Sequence, residues 1–242
     1  MNIQKGVLRS LPGMIKGSCL FLLLSLLLLL FAYPYGQVRP LLILSLNGLT
    51  LIAGLYAVST IRRHVVIASV ISALQVLSAA IYIKTGLILS DVIAISLFAI
   101  FYIYVLVIVL AYVIKGIEVT KDKILGAVSI YLLIGFTWAS FYRIVFSFQP
   151  EAFSVSDTFL ARTGPQPDFV YFSFITLLTV GYGDVSPISG IARSLAILEG
   201  IVGVLYIGVF ISRLLTLYKP QTKKTDSSEQ QTHPALLFVT YN

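Results

Sequence analysis

Charge is what this sequence has least of. Asp, Glu, Lys and Arg make up only 11% of its 242 residues, against about 25% in a soluble domain. That deficit excludes an ordinary water-solvated surface. A hydrophobic fraction of 58% and a mean hydropathy of +0.95 say that lipid is the solvent. The one cysteine, Cys19, excludes an intrachain disulfide, carries no information on redox compartment, and reads as a small apolar filler. The two histidines, His64 and His233, stand apart, so no His/Cys cluster has metal-ligand spacing. No Ser–His–Asp set converges either. An enzyme is the weakest reading, and no cofactor is expected. Acidic side chains are scarcer than basic ones, 10 against 17, for a net charge of +7. The basic residues lie between apolar runs instead of in one patch, which argues against nucleic acid as a partner. They read as loop anchors beside anionic headgroups of a lipid bilayer.

What the chain does have is long apolar runs. A bilayer core about 30 Å thick asks for roughly 20 apolar residues per helix. Six stretches qualify: 18–35, 40–61, 65–83, 87–114, 124–148 and 191–217. The first could also be read as a signal peptide, with a basic n-region, an apolar h-region and the small Ala32. Its uncharged stretch is long, however, and no A-x-A-like site follows, so retention is the expectation. With six spans, twelve of the 17 Lys and Arg residues fall on one side. Arg39, Lys84, Arg143, Arg162 and Arg193 fall on the other. The positive-inside rule then puts both termini in the cytoplasm of a multi-pass plasma-membrane protein.

The chain is organised around residues 176–184, which read T-L-L-T-V-G-Y-G-D. They follow a candidate helix at 168–178, too short to span and therefore re-entrant, which lipid permits only where protein surrounds the segment. Asp168 is its candidate N-cap, after Pro165 and Pro167 have ended the preceding loop. A lone G-Y-G is a weak signal and could mark a mere turn. The nine-residue pattern between two spans, after a short helix, is specific. It resembles the selectivity filter of the potassium-channel superfamily. The surrounding helix–pore loop–helix unit, 123–218, is similar to the pore module of that family.

The resemblance implies a chemistry. Thr179 Oγ1 and the carbonyls of Thr179, Val180, Gly181 and Tyr182 would replace the water shell of a potassium ion, the permeant ligand. They form a cage only when several copies face one axis, hence a homotetramer. Adjacent carbonyls point the same way only if backbone torsions alternate in hand, and Gly181 and Gly183 supply the positive φ. Val180 and Tyr182 would point off axis and wedge against the pore helix. Asp184 would stand at the mouth and concentrate cations. The helix C-terminus near Leu178 would direct its negative dipole end at a cation below. Within the pore helix, Thr176 belongs to the motif. Ile175 stands where some relatives carry a glutamate that pairs with the filter-side aspartate, so any brace of the filter must be built otherwise.

In the inner helix, Gly203 lies 24 residues after Thr179, in the place of the gating hinge of many relatives. An equal alternative is that Gly200, Gly203 and Gly208 are packing glycines. Glu199 is the one carboxylate of that helix, an ionisable group in a membrane and so a functional candidate. It is expected to face the pore helix or its neighbours. Arg193 is expected to snorkel or to pair with a loop carboxylate.

Six spans with the pore between the last two resemble voltage-gated channels, whose fourth helix carries regularly spaced basic residues. Here 87–114 contains none, only Asp91, and Arg62 and Arg63 are loop anchors. Strong voltage gating is not expected, which leaves an unidentified gating ligand or a regulatory protein. Phe98, Phe101, Tyr102 and Tyr104 read as a packing or lipid-facing surface more than as a ligand site.

The expected architecture is therefore an all-α membrane protein assembling as a tetramer. A cytoplasmic N-terminus, 1–17, precedes a four-helix region, 18–114, in the place of a voltage sensor. A linker, 115–122, leads to an outer helix, 123–148, and a polar turret loop, 149–167. Then come a pore helix, 168–178, a filter, 179–183, an inner helix, 190–218, and a disordered tail, 219–242. That tail is too short for a nucleotide-binding or Rossmann-type sensor. Passive, potassium-selective conduction is the leading expectation. Two rivals are a subunit of a potassium uptake system, which usually has four degenerate pore loops in one chain, and a non-conducting regulatory subunit.

Overall fold

The computed structural model describes residues 18–33, 40–58, 62–114, 120–156 and 167–212. The N-terminal segment 1–17, the linker residues 115–119, most of the turret with Arg162 and Pro165, His233 and the tail lie outside them.

Among the described residues, each run of apolar residues becomes a helix, and the outer ones set only one side against protein. In α1 (Ser18–Ala32), Cys19, Leu22, Leu26 and Leu29 are buried at helical spacing, while Leu24, Leu28 and Phe31 face outward. Helix α3 (Arg62–Thr85) is inverted outright: its buried positions are Ala68, Ser72, Gln75 and Ser78, and its valines, leucines and isoleucines are largely exposed. A helix that hides its small polar face and presents its apolar one is solvated by lipid. This is a membrane protein.

Helix α2 (Pro40–Val58) lies between α1 and α3, and α4 (Ile88–Ile114) follows α3. Four helices are long and apolar enough to cross a bilayer: α3, α4, α5 (Lys121–Phe148) and the inner helix from Gly190 to Gly208. Helix α1 and the apolar segment Ser45–Ala57 of α2 are shorter, and both border residues outside those described. The six expected runs are thus six helices, four of them of spanning length.

Helix α5 is central, packing against α1, α4, the pore helix α6 (Phe169–Leu177) and the inner helix α7 (Gly190–Leu205). One continuous core runs through Phe101, Val105 and Val109 of α4, Ile130, Leu133 and Phe136 of α5, and Val170 and Phe174 of α6. A row of rings, Tyr102, Phe136 and Phe174, crosses from α4 to α6 with centroids 5.8 and 5.5 Å apart. Phe101 and Tyr102 are therefore core residues. The four-helix region leans on the pore module of its own chain.

The turret departs from the expected polar loop. It opens with a 3-10 turn, Pro150–Ala152, and strand β1 (Phe153–Val155), which pairs antiparallel with β2 (Val185–Pro187) just past the filter motif. The cause is apolar: Phe153, Ala152 and Val185 join Tyr142, Phe169, Phe172 and Ala192 in a second buried cluster. The inner helix also differs from a plain helix over 190–218. Its α-helical part stops at Leu205, and Tyr206–Ile211 winds as a π-helix.

Candidate functional site

The pore helix is capped as its sequence dictates. Asp168 has extended backbone, and its Oδ1 accepts from the Tyr171 amide at 2.9 Å. Burial pushes its carboxyl above the ordinary carboxylate range, and the amides of Tyr171 and Val170 pull it back. The helix is apolar nearly all round and is enclosed by α5 and α7, the condition for a re-entrant segment.

Past Leu178, the C-cap, the chain turns sharply. The amides of Val180 and Gly181 both donate to the Ile175 carbonyl, at 2.8 and 3.2 Å. The Thr179 amide donates to Thr176 O at 2.9 Å. Thr179, Gly181 and Gly183 have φ of +58°, +55° and +80°, and no other described residue besides Gly86 is left-handed. Every second residue from 179 to 183 is therefore of opposite hand, the alternation that aligns successive carbonyls. Two of the three positions are glycine. The third is a β-branched threonine, for which this region costs about 1–2 kcal/mol.

Two braces hold the stretch from behind. Tyr171 Oη donates to Asp184 Oδ2 at 2.6 Å, and the Val185 amide donates to Asp184 Oδ1 at 3.0 Å. Asp184 is thus tied to the pore helix one turn above Ile175, where no glutamate is available. At the other end, Tyr131 Oη of α5 donates to the Leu177 carbonyl at 3.2 Å. Gly203 lies against that same carbonyl, so close that a Cβ would collide with the Leu177 backbone. This contact accounts for the glycine by packing, and the helical irregularity begins three residues later, at Tyr206. Arg193 Nε donates to Pro187 O at 3.3 Å instead of to a turret carboxylate.

Glu199 is completely buried, 0% exposed. Tyr142 Oη of α5 lies 2.5 Å from its Oε2, and Ser173 Oγ of α6 lies 2.5 Å from its Oε1. It faces α6 and α5, as expected. The side of α7 below Thr179 is an open apolar groove lined by Ala196, Ile197, Gly200, Ile201, Val204 and Leu205.

Comparison with known proteins agrees with this geometry. Residues 126–219 match the family model described as "Ion channel". Over that stretch the chain is similar to ion channels. The protein named LctB from Geobacillus stearothermophilus is 38% identical over 84 residues, which is 34% of this chain and 60% of that protein. The LctB protein of Bacillus caldotenax is 50% identical over 46 residues, 19% of this chain and 34% of that one. The matches thus span less than two thirds of either relative. No solved structure matches.

The region matched by the family model brings together most of the residues singled out in the sequence. Asp168, Ile175, Thr176, Thr179 to Asp184, Glu199 and Gly203 all lie on or against the pore helix and the turn after it. Sequence reasoning missed Tyr171, Ser173, Tyr131 and Tyr142, the partners that brace this assembly. The available signal was a hydroxyl at Tyr171 and Ser173 in an otherwise apolar helix, where an unpaired polar group is costly.

Proposed function

We propose that this chain forms a potassium-selective channel: a homotetramer of six-span subunits in the plasma membrane, termini cytoplasmic, conducting potassium passively. The observation that carries the reading is the alternating backbone of Thr179–Gly183 in a T-V-G-Y-G-D sequence, hung from the Ile175 carbonyl and tied by Asp184. Thr179 Oγ1 and the carbonyls of Thr179, Val180, Gly181 and Tyr182 are the potassium ligands. These neutral oxygens suit a weakly held permeant ion.

Fourfold assembly is supported by what one chain leaves uncovered. Val180 and Tyr182 are 47% and 72% exposed, so the off-axis wedge needs a neighbouring subunit. Ile197, Ile201 and Val204 stand open around the groove below Thr179, the wall of a shared cavity. Helix α4 carries Asp91 and no basic residue, so voltage is not the main stimulus.

The test is flux from vesicles containing the purified protein. Potassium and rubidium should pass far faster than sodium, and Gly181→Ala, which puts a Cβ on a left-handed residue, should abolish the difference. Equal sodium and potassium fluxes from a folded tetramer would overturn the proposal.

A further inference from the structure

The neighbourhood of Glu199 contains more oxygen contacts than its hydroxyl groups can supply with protons. Tyr142 Oη is 2.5 Å from Glu199 Oε2, Ser173 Oγ is 2.5 Å from Glu199 Oε1, and the same Ser173 Oγ is 2.7 Å from the Gly135 carbonyl. Each of these three contacts needs a hydrogen between its oxygens. Tyr142 has one hydroxyl hydrogen, Ser173 has one, and a carbonyl has none. With an ionised carboxylate, one of the two Ser173 contacts would set lone pair against lone pair. The third hydrogen can reside only on the carboxyl.

The electrostatics agree. From α5 the titratable groups facing Glu199 are Tyr131 and Tyr142, and from α6 the polar group is Ser173. On α7 the nearest basic residue in sequence is Arg193, which bonds Pro187 O. Arg143 of α5 is paired with Asp91. No basic side chain among the described residues compensates a charge on this fully buried group, and an uncompensated charge there is strongly disfavoured.

We propose that Glu199 is a neutral carboxylic acid that acts as a positioning residue for the pore helix. Its Oε1–H donates to Ser173, Ser173 donates to the Gly135 carbonyl, and Tyr142 donates to Oε2. One proton thereby completes a chain that fastens the inner, pore and outer helices together. Ser173 lies two residues before Ile175, whose carbonyl holds the turn, so losing the proton would release the pore helix directly behind that anchor. The effect on conduction rests on the channel reading above; the protonation state does not.

Infrared spectroscopy of the purified full chain near neutral pH should show a protonated-carboxyl C=O band that Glu199→Gln removes. No such difference would overturn the proposal whether or not the protein conducts. For function, Glu199→Gln keeps a neutral donor and acceptor and should retain thermal stability and potassium flux, while Glu199→Ala should lose at least about tenfold in flux, because it leaves the buried Tyr142 hydroxyl without an acceptor and removes the link from the inner helix to Ser173. Wild-type flux should fall at alkaline pH, and Glu199→Gln should resist that fall. A glutamine variant as impaired as the alanine variant would mean that the carboxyl works ionised.

Discussion

The four-helix region and the pore module differ in how far their polar side chains reach. In the first, most buried hydroxyls bond back to their own helix: Ser25 to Leu22 O, Thr50 to Leu46 O and Ser72 to Ala68 O. Few cross to another helix, among them Ser78 to Ser90 O and the His64–Tyr104 pair at 2.7 Å. In the pore module, Ser129, Thr137, Ser140, Ser147 and Thr176 back-bond in the same way, but a further set joins helices far apart in sequence: Tyr131 to Leu177 O, Tyr206 to Ala127 O at 2.6 Å, Ser173 and Tyr142 to Glu199. Lipid is as apolar as leucine, so packing alone lets helices slide and turn against one another. Directional bonds fix register, and they are concentrated where carbonyl positions matter.

The largest effect expected from breaking that arrangement is steric. Gly203→Ala drives a Cβ into the Leu177 backbone, which cannot rotate away as a side chain could. Overpacking typically costs about 1–3 kcal/mol, and a rigid backbone puts this case at about 3 or beyond. Gly200→Ala, on the same helix with nothing within 4 Å, should change thermal stability in detergent by less than about 0.5 kcal/mol. Equal effects would mean that α7 does not press on the pore helix.

Much of this was legible in the sequence, and the limits have a physical pattern. The T-V-G-Y-G-D turn, the Asp168 cap and a fourth helix without basic residues depend on residues near one another in the chain, so spacing exposed them. Glu199 was visible as an anomaly, but its partners lie 26 and 57 residues away, and nothing local specifies a pairing at that range. Strands β1 and β2 have three residues each, too few for an alternating pattern to register. The π-helix at Tyr206–Ile211 contains Gly208 but no proline, and that one glycine did not distinguish it from a plain helix. Gly203 showed that a glycine was needed without showing whether for bending or for contact.

The next effect in size falls on the outer brace. Tyr171→Phe removes the donor to Asp184 Oδ2 while keeping the ring. A hydrogen bond to a charged group is worth about 1.5–3 kcal/mol. Ion selectivity or the persistence of current should suffer more than the unfolding midpoint, because the brace holds a short turn and not a whole helix. A variant with unchanged conduction would show that the turn needs no tie from Tyr171 to Asp184. The half-buried Arg143–Asp91 pair, 3.2 Å apart with Arg143 40% and Asp91 19% exposed, is weaker. A double-mutant cycle on Arg143→Gln and Asp91→Asn should give a coupling below about 1 kcal/mol that fades with salt.

The sharpest comparison pairs Tyr206 with Thr50. Both side chains are buried, and each donates to a backbone carbonyl. The Tyr206 bond joins α7 to α5, and interhelical bonds in membranes average about 0.6 kcal/mol with a maximum near 1.7. Tyr206→Phe, losing a contact of 2.6 Å, should fall in the upper part of that range. Thr50→Val keeps the shape and loses only a bond within one helix, whose acceptor four residues back already belongs to the helical ladder. Such back-bonding is neutral or slightly destabilising, so the unfolding midpoint should stay put or rise. If the two substitutions cost the same, the hydroxyl's burial would matter and its span across helices would not, and the contrast between the two regions would lose its physical basis.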